Sequence, residues 1–299
     1  MMQPFALFTA RRALLISTVA LVAGCAQQPA SQSSKEPVRL MTSGGFTAAH
    51  KLLAPQFTAQ TGIAVASAYG SSMGSSPTSI PNRLSQGEKA DVVILARGAL
   101  DDLAAKGLVK QGTQIDLVRS AVGVAVKKGA PIPDISSEDK LRQVLLNAKS
   151  IAYSASASGT YYETQMLKKL GIHDQVMPKS KKIVTERVGT IVARGEAEVG
   201  LQQVSELLPI EGISYAGTLP DSVQHYTLFS AGTASTSTNP QGLEQLLKFY
   251  TSPAAAKAIR DTGLEPIAKA RSSPCKRQSP QAGRAGFGIS AGETQRLTP

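Results

Sequence analysis

The sequence predicts an α/β fold built as two lobes around a cleft. Three observations predict it. Short apolar runs alternate along the chain with stretches of helical periodicity. Turns rich in Ser and Gly follow the carboxyl ends of several of those runs. With 299 residues, the chain is long enough for two lobes of about 100 to 150 residues each.

Taken in order, VRLMTS at 38–43 reads as a first strand, with Gly44-Gly45 after it. A helix from Phe46 to about Thr61 follows, closed by Gly62. Residues 63–68 form a second strand, leading into the hydroxyl-rich run 70–76 and a helix near 79–86. ADVVILA is nearly all apolar, as expected of a strand covered on both faces of a parallel sheet. Residues 99–105 form a short helix ended by Gly107. Residues 120–127 form a strand that crosses into the second lobe, and a helix opening at Ser136-Ser137 follows.

The stretch from Ser150 to Gly171 reads as strand, tight turn and helix. Ser158 is its expected N-cap, and Gly159 is expected to let a ligand approach the backbone. Tyr162, Met166, Leu167 and Leu170 share one apolar helix face. Residues 184–193 look helical, 198–203 form a strand, and Glu206 begins a short turn or helix. Residues 226–231 cross back, and helices at 240–250 and 253–261 close the body, with Pro240 and Pro253 near their first turns. The expected division is 38–122 with 224–268 as one lobe and 123–223 as the other.

Residues 1–25 read as a leader: Arg11-Arg12, an apolar run too short to span a bilayer, then Leu-Val-Ala-Gly-Cys25. That ending resembles a bacterial lipobox, which implies acylation at Cys25 and a lipid anchor. Cys275 is then left without a disulfide partner in the chain. Residues 26–37 are expected to be a flexible tether, and 269–299 a disordered basic tail. Leader and tail carry more than half of the formal +11 charge. No basic stripe on a folded element and no reader motif is present, so nucleic acid is not an expected partner. His50, His173 and His225 follow no metal spacing, and no phosphate-loop, GxSxG or HExxH motif occurs. No metal and no cofactor is expected. His50 reads as a surface or packing residue, and His173 as part of a loop.

Ser43-Gly44-Gly45, the 70–76 run and the 154–160 run each end a strand and open a helix, and Gln202-Gln203 ends another strand. Free helix amides and hydroxyls facing one another suit a desolvated small anion. Met73 reads either as a contact to ligand carbon atoms or as a packing residue, and Arg97 and Arg187 either as partners of a carboxylate or as solvated surface charges.

On these segments the chain resembles the type II periplasmic solute-binding proteins, in the branch of the molybdate-binding proteins. The resemblance covers about 38–266. It implies a two-lobe periplasmic binding protein type II fold with the ligand between the lobes. It places ligand contacts at Ser43, at Ser71 and Ser72, at Ala96 with Arg97 beside it, and at Gly159, Thr160 and Tyr161. Gln203 stands where molybdate binders carry a tyrosine. SGGF, GSSMG, IAYSASASG and GEAEVGLQQVSELLP look more like a subgroup that contains a periplasmic aconitate isomerase.

Two functions follow from the resemblance. One is a monomeric, lipid-anchored protein on the periplasmic face of a bacterial membrane. It would bind a polycarboxylate or oxyanion and pass it to an ABC-type transporter. The other is an isomerase that shifts a proton along aconitate, with Tyr161 and Glu206 as the candidate proton carriers.

Overall fold

The computed structural model describes residues 36–74 and 76–267. The leader with Cys25, the tether up to residue 35 and the tail from 269 lie outside the described residues.

The first lobe opens with β1 (Val38–Ser43), α1 (Gly44–Thr61), β2 (Val65–Gly70), α2 (Ile80–Ser85), β3 (Val92–Ala96) and α3 (Arg97–Ala105). The long strand β4 (Ile115–Lys127) leaves it. Then come α4 (Glu138–Asn147), β5 (Ile151–Ser154), α5 (Ala157–Tyr161), α6 (Leu167–Lys169), α7 (His173–Val176), β6 (Ser180–Ile183), α8 (Val188–Arg194), β7 (Val199–Gln203), α9 (Val204–Leu207) and β8 (Ile213–Thr218). The chain returns through β9 (Tyr226–Thr233) and ends with α10 (Pro240–Tyr250), α11 (Pro253–Arg260) and β10 (Leu264–Pro266).

The strands run β2-β1-β3-β9-β4-β7-β5-β6 across one curled sheet, with β8 and β10 also on β4. Within each lobe the βαβ pairs are parallel. The sheet as a whole is mixed, not parallel as expected, because β4 and β9 connect the lobes and run against their neighbours. β4 changes partners midway: residues 115–121 pair with β9, and 122–126 with β7.

Side-chain alternation explains why these strands are apolar throughout. On β3, Val92 and Ile94 pack with Phe46, Phe57 and Phe249 on one face of the sheet. Val93 and Leu95 pack with Ile80, Leu100 and Leu103 on the other. In the second lobe, Ile151 and Tyr153 join Leu141, Tyr162 and Met166, while Ala152 faces Ile191 and Val192 of α8.

Two local features depart from the sequence reading. The helix after β5 is not regular: a π turn, Tyr162–Met166, separates α5 from α6. It begins at consecutive buried tyrosines whose hydroxyls need partners on different elements. Tyr161 donates to Val223 O (2.7 Å), and Tyr162 bonds Ser180 Oγ (2.7 Å). His173 lies in the short helix α7, not a loop. His50 is a packing residue: it is buried and holds Tyr250 Oη (2.6 Å) and Ser67 Oγ (2.7 Å). Burial holds its pKa down at about 4.

Asp91 fixes the entry to β3. It is fully buried and accepts from Arg39 N, Nε and Nη2 and from the backbone N–H groups of Thr238 and Asn239, at 2.8–3.3 Å. Burial pushes its carboxyl up, but the bonds from Arg39 outweigh this and hold it well below the usual carboxylate range. Asp91→Ala should cost about 3 kcal/mol of unfolding free energy in urea, since five donors lose their acceptor while Arg39 keeps some solvent. A depressed folded pKa also means that this contribution is present at neutral pH and is lost as pH falls through the acid range. The wild-type protein should therefore lose stability in acid more steeply than the variant.

Candidate functional site

The carboxyl ends of β1, β2, β5, β6 and β7 converge on a cleft of ≈ 570 Å³ between the lobes. The first lobe contributes Gly44, Thr47, Lys51, Tyr69 and Ser71. The second contributes Ser154, Ser156, Thr185, Arg187, Gln202 and Glu206. With Thr78, six of the seventeen residues that line the cleft are Ser or Thr, as an anion cradle requires. Lys51 stands over the Tyr69 ring (5.6 Å to its centre). The Arg187 guanidinium has no hydrogen-bonded or ion-pair partner among the described residues, whereas the neighbouring Glu186 is taken by Arg194 (2.8 Å). Each lobe thus offers the cleft one cation that makes no ion pair among the described residues.

Of the two acids that line the cleft, Glu186 is taken by Arg194, and Glu206 is the buried one. It sits in the single turn α9, directly after β7, and its carboxyl rests against the first residue of α1. A Cβ built on Gly44 would lie 2.0 Å from Glu206 Oε1. Gln202 Nε2 donates to the same oxygen (3.1 Å), and Gln202 Oε1 accepts from Val188 N (2.9 Å). Burial raises the Glu206 pKa to about 7, against the opposing pull of Arg187 and Gln202. A carboxyl balanced near neutrality and facing a cleft has the property a proton carrier needs.

The sequence-expected contacts divide into three groups. Gly44, Ser71, Arg187 and Glu206 line this cleft; Ser71 Oγ donates to Met73 O (2.7 Å). Met73, Ala96, Arg97, Thr160 and Tyr161 line a second interlobe hollow of ≈ 470 Å³, where Tyr161 stacks on His225. There Arg97 is paired with both Asp101 and Asp116. The rest are buried. Ser72 Oγ accepts from Ala96 N (3.0 Å), and Ser158 Oγ bonds Ser154 Oγ (3.1 Å). Ser43 Oγ is buried without a partner among the described residues. The Phe229 ring packs on Gly45, and the Ser154 carbonyl on Gly159. Ser156, not Ser158, occupies the N-cap of α5, and its side chain makes no capping bond.

Gln203 points away from the cleft and bonds Thr227 Oγ1 (2.7 Å) at the crossover strands. With its amide oxygen turned toward Thr227, its nitrogen reaches Ser120 O (3.1 Å). Its neighbour Gln202 faces the cleft because successive strand residues alternate faces. The cleft residues Thr47 and Lys51 are absent from the sequence-derived site, and Gln202 and Ser156 entered it only as members of the strand-end runs, not as contacts. The signal that finds Gln202 is its i, i+4 spacing to Glu206 across the strand-to-helix junction.

No group of His, Cys, Asp and Glu among the described residues is arranged to hold a metal. No helix among them is long and apolar enough to cross a membrane.

Residues 38–265 match the family model described as bacterial extracellular solute-binding protein. The chain is 40% identical over 255 residues to an aconitate isomerase from a Pseudomonas species, a match covering 85% of this chain and 94% of that protein. Among solved structures it is similar to the periplasmic molybdate-binding protein of Azotobacter vinelandii, with TM-score 0.63 at 20% identity, over 76% of this chain and 98% of that one. The sulfate-binding protein SubI from Mycobacterium tuberculosis gives TM-score 0.60 at 17% identity, over 78% and 87%. At these identities the structures speak for the fold, two α/β lobes closing on a cleft. The family match and the 40% relative go further, and the chain belongs to the bacterial extracellular solute-binding proteins.

Proposed function

We propose that this protein is an isomerase that interconverts trans- and cis-aconitate in the cleft between its lobes. One observation carries the reading: a buried carboxyl, Glu206, held near neutrality in a cleft that also presents Ser and Thr hydroxyls, Lys51 and Arg187. The 40% relative named aconitate isomerase supports it.

The chemistry is a 1,3-proton shift. The Glu206 carboxylate takes a proton from the substrate's methylene carbon. The electron pair left behind spreads over the three-carbon allylic unit and its carboxylates. The same carboxyl then returns the proton to the carbon at the far end, and the double bond has moved. No atom is gained or lost and nothing is oxidised. Arg187 and Lys51 hold the carboxylates and absorb the charge that builds up on them. Glu186, being paired with Arg194, does not compete as the base.

The deciding experiment mixes the protein with trans-aconitate and follows cis-aconitate with time. Catalytic turnover is expected. Because the carboxylate form is the base, kcat/KM should rise with pH through a midpoint near 7, following Glu206. A binding signal with no conversion at any pH removes the isomerase reading. Gly44→Ala should fold, since the new methyl meets the mobile end of Glu206, but the displaced carboxyl should lower kcat about 10- to 100-fold.

A second reading, favoured by the family description, is a carrier that delivers a polycarboxylate to an ABC-type transporter. It uses the same cleft. The lipid anchor at Cys25 and a periplasmic location belong to either reading. Metabolic labelling with a fatty acid, compared with Cys25→Ser, tests the anchor.

A further inference from the structure

Gln202 is buried between two partners that fix both ends of its amide. Its oxygen accepts from Val188 N, the first amide of α8, which has no partner inside its own helix. Arg187, the residue at the N-cap of that helix, supplies no side-chain cap. With the oxygen committed to Val188, the amide nitrogen is the end turned to Glu206. A flipped amide would face a donor with a donor and a carboxylate oxygen with an oxygen, so one orientation is selected. Glu206 Oε1 is then held between this amide and the Gly44 backbone. Glu206 Oε2 has no hydrogen-bond partner among the described residues, and the residue lines the cleft.

We propose that Gln202 is the positioning residue of this cleft: it clamps one oxygen of Glu206, turns the other toward the substrate carbon, and through Val188 fixes the backbone that presents Arg187. This rests on the isomerase reading of the same cleft. The donated N–H also favours the charged carboxylate over the acid, opposing the effect of burial. The ionisable groups that share the cleft with Glu206 are Arg187, Lys51, Glu186 and Tyr69. Of these, Arg187 acts on Glu206 in the same sense as Gln202. A Gln at 202, unlike a Glu, supports the base without adding a second negative charge.

The test uses Gln202→Met, which keeps an unbranched chain of similar size, and Gln202→Glu, which keeps an acceptor for Val188 N. For each, kcat and KM are measured against pH, and binding of tricarballylate, a tricarboxylate without the double bond, is measured by calorimetry. The Glu206 carboxyl is titrated by carbon-13 NMR, its signal assigned by its loss in Glu206→Gln. In Gln202→Met, kcat should fall about 10- to 100-fold while KM stays within about threefold. The Glu206 midpoint should move up, and further up in Gln202→Glu. Some thermal stability should be lost in Gln202→Met, because Val188 N loses its acceptor, but the titration midpoint is read separately from it. An unmoved midpoint in both variants, or a rise in KM at constant kcat, overturns the proposal and makes Gln202 a packing residue. If the wild-type protein binds tricarballylate but converts no aconitate, the isomerase reading fails alone, and the titration still decides whether Gln202 clamps Glu206.

Discussion

Glu206→Gln should reduce aconitate isomerisation by about 10³-fold or more, with tricarballylate still bound. The amide keeps the shape of the carboxyl and its place against Gly44, but it cannot take a proton from carbon. Conversion is measured by separating the two isomers, and binding by calorimetry. The same substitution gives a stability result of opposite sign. The folded pKa of Glu206, about 7, lies above that of an unfolded glutamate. Wild-type stability is therefore fully present in acid and declines as pH rises through neutrality, because a buried carboxyl must ionise. The glutamine variant has no such loss, so its melting temperature should exceed that of the wild type at alkaline pH. An inactive variant that is more stable identifies a functional residue held at a cost to the fold. A variant with undiminished turnover would instead require a different proton carrier.

Gly159→Ala should have the largest effect on folding. An added Cβ would stand 1.6 Å from Ser154 O, 2.6 Å from its carbonyl carbon and 3.0 Å from the Tyr153 ring. Two of those atoms are backbone at the end of β5 and cannot turn aside. Relief requires α5 to lift from β5, which sits at the centre of the second lobe between β6 and β7. A loss of about 3 kcal/mol or more is expected, from overpacking against atoms that cannot yield. A urea midpoint that falls with an unchanged slope would show it. The sequence reading also singled out this glycine, for a ligand. The neighbour that excludes a side chain here is the chain's own carbonyl.

Gln202 and Gln203 show where reading the sequence stops. Both end a strand, and the resemblance pointed to Gln203. Which residue faces the cleft depends on the register of β7 against β4, where Val122 pairs with Gln203 and Gly123 with Gln202. A shift of one residue would exchange their roles. Asp91 was invisible for a related reason. Its partners Arg39, Thr238 and Asn239 lie 52 to 148 positions away, and no local pattern marks them. The strands β6, β8 and β10 were missed because β6, SKKI, and β10 are very short, β6 lies at the sheet edge with two exposed lysines, and β8, ISYAGT, is nowhere fully buried along its length. They lack the apolar alternation that made β1 and β3 legible.

By itself, the sequence determined the α/β class, most of the strand and helix order, and the hydroxyl-rich turns at the strand ends. These follow from local rules: hydrophobic period, capping residues, and glycines such as Gly62 that end helices with positive φ. Only the tertiary structure decided that β4 and β9 run against their neighbours, that Tyr161 and Glu206 occupy different hollows, and that Gln202 faces Glu206. Those outcomes depend on strand register and on burial. Burial in particular raises the Glu206 pKa to about 7, and it arises only when the first turn of α1 closes over the carboxyl from the other lobe.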